Sequence, residues 1–252
     1  MSLSVVIITK NEEANILRCL HSVSFADERI VYDTGSTDRT CEIASGTGAR
    51  VIHGTFDGFG TTKQRALETA SMTWVLSLDA DEEVTRELAE ELKRLKSESE
   101  LSGFAINRRT QFLGRWIMHS GWYPDWIVRL ARRDAASFCD RLVHEGMVVN
   151  GSVGRLNGEL LHYSYPSLES YLDKGNQYTS LGAAQIGQSR KIGAVHLVLR
   201  PWWQFVKMYF IKRGFLDGWQ GFVLASLSSM QVLTKYAKAR MLQSQMNRNT
   251  HV

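Results

Sequence analysis

Two aspartates, Asp79 and Asp81, stand at the end of the apolar run 74–78. Carboxylates two residues apart, on a turn that leaves a buried strand, can face one cleft, where they repel each other unless a cation compensates them. An oxygen site with few protein ligands suits Mg²⁺ or Mn²⁺ completed by diphosphate oxygens. We therefore predict a divalent cation cofactor held by Asp79 and Asp81. The alternative is that Asp81 only caps a helix that begins near Val84.

Polar residues also follow the other predicted strands of the first hundred residues. In an open α/β sheet, ligands bind at the carboxyl ends of the strands. Carboxylates there can accept hydrogen bonds from a base or a ribose, hydroxyls can serve phosphate oxygens, and a lysine offers a point charge. These groups together predict a nucleotide pocket. The segments are Thr9-Lys-Asn-Glu12, Asp33-Thr-Gly-Ser36 and the stretch from Gly58 to Lys63.

Two common nucleotide-binding classes are excluded by the same segments. No Gly-x-Gly-x-x-Gly follows the first apolar run, and Gly-Lys-Ser/Thr occurs nowhere in the sequence. These patterns are the signatures of dinucleotide enzymes and P-loop NTPases. The predicted pocket therefore belongs to another kind of nucleotide-binding protein.

The elements that must position these residues alternate between strand and helix patterns. Repeated βα units predict an α/β fold with a Rossmann-like, mostly parallel sheet and helices on both faces. After about residue 100, short apolar runs separated by glycines and charges predict mixed or antiparallel strands, followed by a helix that starts at Pro166. The predicted strands lie at 3–8, 30–32, 49–52, 74–78, 104–107, 126–130 and 147–149.

The C-terminal part is basic and aromatic. Residues 200–252 contain 8 Lys or Arg and one acid, so residues 1–199 carry a net charge of −3 within the overall +4. The cations interrupt every apolar stretch long enough to span a membrane, whereas Trp and Tyr beside Lys and Arg suit amphipathic helices in the membrane interface. We predict that the tail binds an anionic membrane surface. The alternative is a helical pair packed on the body with solvated cations.

Composition limits the class and the compartment. The chain is 44% hydrophobic and 22% charged, which excludes disorder. Three widely spaced cysteines without a Cys-x-x-Cys pair make a disulfide framework or a zinc ribbon improbable, and they favour a cytoplasmic location. We expect no signal peptide. A nucleic-acid partner is not expected, because the body is mildly acidic.

Three motifs in order resemble the inverting glycosyltransferases of family 2, which have the GT-A fold. They are "VVIITKNEEANILRCLHSV", "IVYDTGSTDRT" and "KQRALETASMTWVLSLDADE". The sequence departs from the family pattern at Thr34, where the family has a second aspartate, and at Lys63, where it has arginine. The resemblance implies a UDP-sugar donor, with Asp33 facing the uracil. It also implies a donor pocket formed by Thr9, Glu12, Asp33, Lys63 and Asp79, and a cation held by Asp79 and Asp81.

The second half is similar to the lipopolysaccharide-core glycosyltransferases of the WaaE/KdtX type. The similarity rests on "YPDWIVRLARRDAASFCDRLVHEGMVVNG", "LLHYSYPSLESYLDKGNQYT" and the aromatic tail. It implies transfer of glucose from UDP-glucose to a lipid-linked saccharide, the first heptose of the inner core, on the cytoplasmic face of the inner membrane. We accordingly divide the chain into a GT-A domain at 1–195, with its nucleotide-sugar half at 1–100 and its acceptor half at 101–195, and a tail at 196–252.

An inverting transfer also needs a base for the acceptor hydroxyl. The family places it in a Glu-Asp pair that this sequence lacks, so we predict Glu145 in its place, with Asp125 as the alternative. A surface ion pair is the structural alternative for Glu145. His162 is either structural or a metal ligand.

Two other classes remain open from the residues. A sugar nucleotidyltransferase also pairs a Rossmann-like sheet with acidic metal ligands, but it carries a glycine-rich basic loop after the first strand. A non-catalytic nucleotide-binding membrane scaffold would keep its function without Asp81 or Glu145.

Overall fold

The computed structural model describes residues 2–95, 100–138, 146–187 and 192–249. They form two compact units. The first contains 1–109 and 125–163, and the second contains 110–124 and 164–252. The predicted boundary at residue 195, between a GT-A domain and a tail, stays a prediction.

Strands and helices alternate through the first unit and give way to helices in the second. The strands are β1 (Leu3–Thr9), β2 (Glu28–Asp33), β3 (Arg50–His53), β4 (Trp74–Asp79), β5 (Glu82–Val84), β6 (Gly103–Phe112), β7 (Arg115–Trp116), β8 (Asp125–Arg132), β9 (Ala136–Phe138), β10 (Met147–Val149) and β11 (Val153–Tyr165). The α-helices are α1 (Ile16–Ser22), α2 (Thr40–Gly46), α3 (Phe59–Glu68), α4 (Arg86–Arg94), α5 (Leu168–Gly187), α6 (Ala194–Leu197), α7 (Leu199–Val206) and α8 (Gly218–Asn249).

The first four strands form the parallel half of the sheet, as predicted. Within the described ranges the sheet order is β3-β2-β1-β4-β8-β6-β11-β5, and β7 pairs with β6. β1 is parallel to both β2 and β4, and β2 is parallel to β3. The register places Thr9 beside Asp33 and Ile8 beside Asp79. The carboxyl ends of β1, β2 and β4 therefore meet at one edge of the sheet, where this kind of fold binds ligands.

Both faces of the central parallel strands β1 and β4 are covered, which explains their largely apolar sequences. Side chains that alternate along β1 point to opposite sides of the sheet. One face packs against α1, α2 and α4, and the other packs against α3. Val5 and Ile7 lie in the first of these cores, and Val6 lies in the second.

The strands after residue 100 are antiparallel where their pairing is defined, which confirms the predicted change in the sheet. β8 runs antiparallel to β4 and to β6, and β5 runs antiparallel to β11. A separate two-stranded sheet pairs β9 with β10. The β5–β11 register brings His162 opposite Glu82, so a strand from late in the chain reaches the turn that follows β4.

The second unit is built around aromatic side chains. Phe112, Ile117 and Tyr171 are buried together with Leu224 and Ala225 of α8. A π-helical turn at Lys207–Ile211 and a 3₁₀ turn at Gly214–Asp217 connect α7 to α8. Because α8 supplies core residues here, the C-terminal helices are part of the folded structure. None of the helices in the described part of the chain combines the length and the apolar character that crossing a bilayer requires.

Candidate active site

The ends of β1 and β2 are joined by hydrogen bonds between the loops that follow them. Asn11 has a positive φ of 55°, a conformation that asparagine tolerates better than most residues. Its side-chain oxygen accepts a hydrogen bond from the Thr37 backbone N–H at 2.8 Å, and its own N–H donates to Ser36 Oγ at 2.9 Å. Glu12 donates its backbone N–H to Thr40 Oγ1 at 2.8 Å. These bonds hold the predicted nucleotide segments against each other.

Thr9 and Thr34 meet at this edge in different ways. The N–H and the hydroxyl of Thr34 both donate to the Thr9 carbonyl, at 3.0 and 3.1 Å. Thr34, which replaces the aspartate of the family pattern, therefore helps to fix the β1–β2 ends. The Thr9 hydroxyl is buried and has no hydrogen-bond partner in the described structure. A buried polar group without a partner is costly, and a bound ligand would satisfy this one.

Asp33 is buried at the end of β2 and organises the turn that follows. Its carboxylate accepts hydrogen bonds from the Gly35 N–H at 3.1 Å, the Ser36 N–H at 3.1 Å and the Ser36 hydroxyl. Gly35 has a φ of +98°, which only glycine adopts readily. Burial alone would raise the pKa of Asp33, but these hydrogen bonds outweigh it and lower the pKa. The carboxylate is therefore held in its ionised, acceptor form.

Asp79 is clamped between two cations at the end of β4. Lys63 Nζ lies 2.8 Å from Asp79 Oδ1, and Arg129 Nη2 lies 2.6 Å from Asp79 Oδ2. Burial would raise the pKa of Asp79, but the charges of Arg129 and Lys63 more than offset it and hold the pKa well below its usual range. The protein itself thus compensates the charge of Asp79. Of the two aspartates, Asp81 is the one whose charge a metal ion would compensate.

Asp81 lies next to His162. Their atoms Oδ2 and Nε2 are 3.4 Å apart, and both side chains are mostly buried. The neighbouring strand fixes this approach, because the Tyr163 N–H donates to the Asp81 carbonyl at 2.9 Å. A carboxylate oxygen and an imidazole nitrogen that converge in this way form a donor pair that suits Mn²⁺ and other divalent ions.

The helix-cap alternative for Asp81 is wrong. The helix after this turn begins at Arg86, and its cap is Thr85, whose side chain accepts a hydrogen bond from the Leu88 N–H at 3.3 Å. Val84, which was predicted to open the helix, lies in β5 instead. Asp81 therefore precedes the capped helix by a short strand and is not needed to start it.

Two charged residues at this site, Glu82 and Arg129, were not predicted as site residues. The side chain of Glu82 is fully buried, and its Oε1 accepts a hydrogen bond from Arg129 Nη2 at 2.7 Å. Burial would lower the pKa of Arg129, but the charges of Asp79 and Glu82 raise it. The available signal was an arginine in the apolar segment of β8, where an unpaired charge would be very unfavourable.

Of the two candidate bases, the structure describes only Asp125. Glu145 lies outside the described residues, so its role stays a prediction. Asp125 begins β8, and its Oδ2 accepts hydrogen bonds from Arg108 Nε at 3.0 Å and Nη2 at 2.8 Å. Its backbone N–H donates to the Asn107 side chain at 2.9 Å. The Asp125 carboxylate is partly exposed, which leaves it accessible to an acceptor.

Comparison with known proteins identifies a family and several relatives of this chain. The model for "Glycosyl transferase family 2" matches residues 4–148. An uncharacterised glycosyltransferase of Rickettsia typhi is 34% identical over 95% of this chain and 87% of its own length. The lipopolysaccharide core biosynthesis glycosyltransferase LpsC of Rhizobium meliloti is 31% identical over 95% of both chains.

Solved structures support the expected fold. TarS of S. aureus, residues 1–349, superposes with a TM-score of 0.50 at 16% identity, covering 99% of this chain and 92% of that one. The same protein in complex with UDP-GlcNAc gives a TM-score of 0.50 at 14% identity. At this identity the likeness concerns the fold, which is GT-A. With a family match over more than half of its length and full-length relatives above 30% identity, the chain belongs to glycosyl transferase family 2.

Proposed function

We propose that this glycosyltransferase transfers a hexose, glucose by preference, from a UDP-sugar to a lipid-linked saccharide with inversion at the anomeric carbon. The observation that carries the proposal is the convergence of Asp79 and Asp81 with Lys63 and His162 at the end of β4. This arrangement offers an anchored carboxylate for the donor and a second carboxylate for a cation. Family 2 membership favours it over a sugar nucleotidyltransferase.

The donor side of the site supports a nucleotide. The unpartnered Thr9 hydroxyl and the ionised Asp33 carboxylate lie on neighbouring strand ends, where a base or ribose would find an acceptor and a hydroxyl group. Glu12 follows on the same loop. The S. aureus protein that shares the fold was solved with UDP-GlcNAc. We therefore propose UDP as the nucleotide, with Asp33 facing the uracil.

A divalent cation fits the residues at Asp81. The Oδ2 of Asp81 and the Nε2 of His162 would hold it, together with Asp79, the other metal ligand predicted from the sequence. A bound cation would neutralise the charge that develops on the departing diphosphate. Lys63 and Arg129 keep Asp79 ionised and balance its charge. The negative charge presented to the cation is therefore that of Asp81, and Asp79 offers a hydrogen-bond acceptor to the donor sugar nucleotide.

The chemical step is an in-line displacement. A carboxylate removes the proton of the acceptor hydroxyl while its oxygen attacks the anomeric carbon. The new glycosidic bond forms as the bond from that carbon to the diphosphate oxygen breaks, and UDP leaves. We propose Glu145 as this base, with Asp125 as the alternative. Because Arg108 engages one oxygen of Asp125, Asp125 is also suited to binding an acceptor hydroxyl.

The acceptor is proposed from a relative. LpsC of Rhizobium meliloti, which aligns over 95% of this chain, is named for lipopolysaccharide core biosynthesis. We propose an inner-core heptose carried on a lipid as the acceptor here, on the cytoplasmic face of the inner membrane. An enzyme that acts on such an acceptor benefits from holding itself at the membrane surface.

The second unit has a surface suited to that task, which we call the aromatic face. The acid of the tail, Asp217, is buried and accepts hydrogen bonds from the backbone N–H groups of Met118 and His119, at 3.1 and 3.0 Å. The charge of Asp217 is therefore buried, and the exposed charged side chains of residues 200–245 are basic. We give the name aromatic face to the strongly exposed apolar side chains between residues 202 and 222, most of them aromatic: Trp202, Trp203, Phe210, Ile211, Phe215, Leu216, Trp219 and Phe222.

Aromatic side chains beside cations match the interface of an anionic bilayer. Each lysine or arginine near such a surface contributes about 1 kcal/mol, so several give reversible binding. We propose peripheral association through the aromatic face.

The direct test is a transfer assay with truncated lipopolysaccharide and UDP-glucose, UDP-galactose or GDP-mannose. The proposal expects UDP release and acceptor glycosylation with UDP-glucose, with a β-linked product from the α-linked donor. An α-linked product would contradict the inverting mechanism. Acceptor-dependent release of GDP but not UDP would contradict the donor assignment, and full activity of Asp81→Ala would contradict the cation site.

A further inference from the structure

Glu82 is connected through two arginines to two other carboxylates of the site. They are Asp79, proposed to contact the sugar donor, and Asp125, the alternative base for the acceptor. The Oε2 of Glu82 accepts a hydrogen bond from the Asp79 N–H at 3.0 Å, which closes the turn after β4. Its Oε1 accepts from Arg129 Nη2 at 2.7 Å and lies 3.3 Å from Arg108 Nη1. The side chain is fully buried. A carboxylate in such a place is stable only because these partners compensate its charge.

Each of the two arginines also forms an ion pair with a second carboxylate. Arg129 reaches Asp79 at 2.6 Å, and Arg108 reaches Asp125 at 2.8 Å. The result is an unbroken chain from Asp79 through Arg129, Glu82 and Arg108 to Asp125. All of its members belong to the first compact unit.

The charges of this chain balance when Lys63, which pairs with Asp79, is counted with them. Lys63, Arg108 and Arg129 supply three positive charges, and Asp79, Glu82 and Asp125 supply three negative charges. Asp81 is not one of these six groups. Its carboxylate lies beside His162, with Oδ2 3.4 Å from Nε2, where a cation would meet both side chains.

We propose that Glu82 is a positioning residue that fixes Arg129 on Asp79 and Arg108 on Asp125, and thereby sets the charge that the site presents to the cation and the diphosphate. This inference rests on the proposed function, because it concerns the same donor site. Neutralising Glu82 gives the cluster a surplus positive charge. Neutralising Arg108 gives it a surplus negative charge.

These two changes have opposite electrostatic consequences for the two ligands. A surplus positive charge repels a divalent cation and attracts a diphosphate, and a surplus negative charge does the reverse. The useful quantity is the gain in UDP affinity when Mn²⁺ replaces EDTA, which we call the manganese gain. A residue that only supported the fold would lower UDP affinity in both conditions and would not move the manganese gain in a direction set by its charge.

The experiment is calorimetric titration of UDP into the full-length wild type and variants, with Mn²⁺ and with EDTA. For Glu82→Gln we expect the manganese gain to fall at least about fivefold, with UDP affinity in EDTA no weaker than in the wild type. For Arg108→Gln we expect the manganese gain to rise. The matched control is Glu83→Gln, the same substitution one residue later, where the carboxylate bonds the Tyr163 hydroxyl at 2.8 Å; its manganese gain should equal that of the wild type.

The outcomes separate this proposal from the proposed function. A folded wild type that binds no UDP contradicts the donor site itself. A wild type with a manganese gain that Glu82→Gln leaves unchanged, or that both variants lower, overturns the positioning role alone. If Glu82→Gln does not fold, Arg108→Gln decides, because its arginine is partly exposed: a manganese gain above the wild-type value supports the proposal, and an equal or lower one overturns it.

Discussion

Oδ2 of Asp81 and Nε2 of His162 lie 3.4 Å apart, although the two residues come from distant parts of the chain. The antiparallel pairing of β5 with β11 produces this contact. We expect His162→Gln to weaken the binding of Mn²⁺ in the presence of UDP by more than about tenfold, since even outer groups around metal ligands contribute tenfold to 100-fold. Electron paramagnetic resonance of free Mn²⁺ measures this directly. Unchanged binding would show that His162 is structural.

Asp81→Ala should abolish transfer and leave the fold intact. The substitution removes a carboxylate that does not cap the following helix and removes no side chain from the hydrophobic cores. We expect its free energy of unfolding to fall by no more than about 0.5–3 kcal/mol, the ordinary range for one substitution, while turnover of UDP-glucose falls to background. A large loss of stability would mean that the activity result reflects unfolding and that Asp81 supports the turn.

Arg129→Met should be strongly destabilising. The guanidinium is almost fully buried and bridges Asp79 and Glu82, so its removal leaves two carboxylates without their main partner. Breaking a buried ion pair costs about 3–5 kcal/mol, and urea unfolding measures it. Arg132→Met on the same strand is the control, because its 3.5 Å pair with Asp134 is exposed and should contribute less than about 1 kcal/mol. Equal losses in the two variants would contradict the buried cluster.

The depressed pKa of Asp79 predicts a specific acid response. A carboxyl whose pKa is lower in the folded state than in the unfolded state stabilises the protein above the unfolded value, near 3.9, and this contribution is lost as the pH falls towards the folded value. Asp79→Asn removes this titration. The free energy of unfolding should therefore fall less steeply below about pH 4 than in the wild type. A wild-type slope in Asp79→Asn would contradict the clamped carboxylate.

Membrane association is tested better by point variants than by deletion. Removing residues 200–252 would also remove Leu224 and Ala225 from a buried core. We expect the double variant Trp202→Gln/Trp219→Gln to lower binding to anionic phospholipid vesicles by at least about tenfold, because each tryptophan buries apolar area worth about 1.5–3 kcal/mol. Trp126→Gln is the control, as that exposed ring is stacked over Arg155 in the first unit. Equal sedimentation of all variants would contradict the aromatic face.

The sequence predicted the parallel half of the fold well. Largely apolar runs marked β1 and β4, and the rule that ligands bind at strand ends brought Thr9, Asp33 and Asp79 to one edge. Lys63 was also predicted there, since it follows the loop that opens α3. These are local signals, and the chain order of parallel βα units determines where they meet.

The remaining parts of the site depend on long-range pairing that local patterns do not specify. His162 reaches Asp81 because of the β5–β11 register, and Arg129 reaches Asp79 because β8 pairs beside β4. The register of antiparallel strands depends on turns and on packing that a single sequence does not reveal. The ion pairs of Glu82 follow from the same pairing, so its role emerged only with the structure.

Calorimetric titration of UDP and UDP-glucose, with Mn²⁺ and with EDTA, tests the central claim most directly. The account predicts binding of UDP that is much tighter with Mn²⁺, and loss of this difference in both Asp81→Asn and His162→Gln. It also predicts that Asp79→Asn binds UDP more weakly than the wild type in both conditions, because Asp79 is the anchored carboxylate proposed to contact the donor. UDP binding that is equally tight with EDTA, or absent from a folded wild type, would contradict a metal-assisted UDP-sugar site at Asp79 and Asp81.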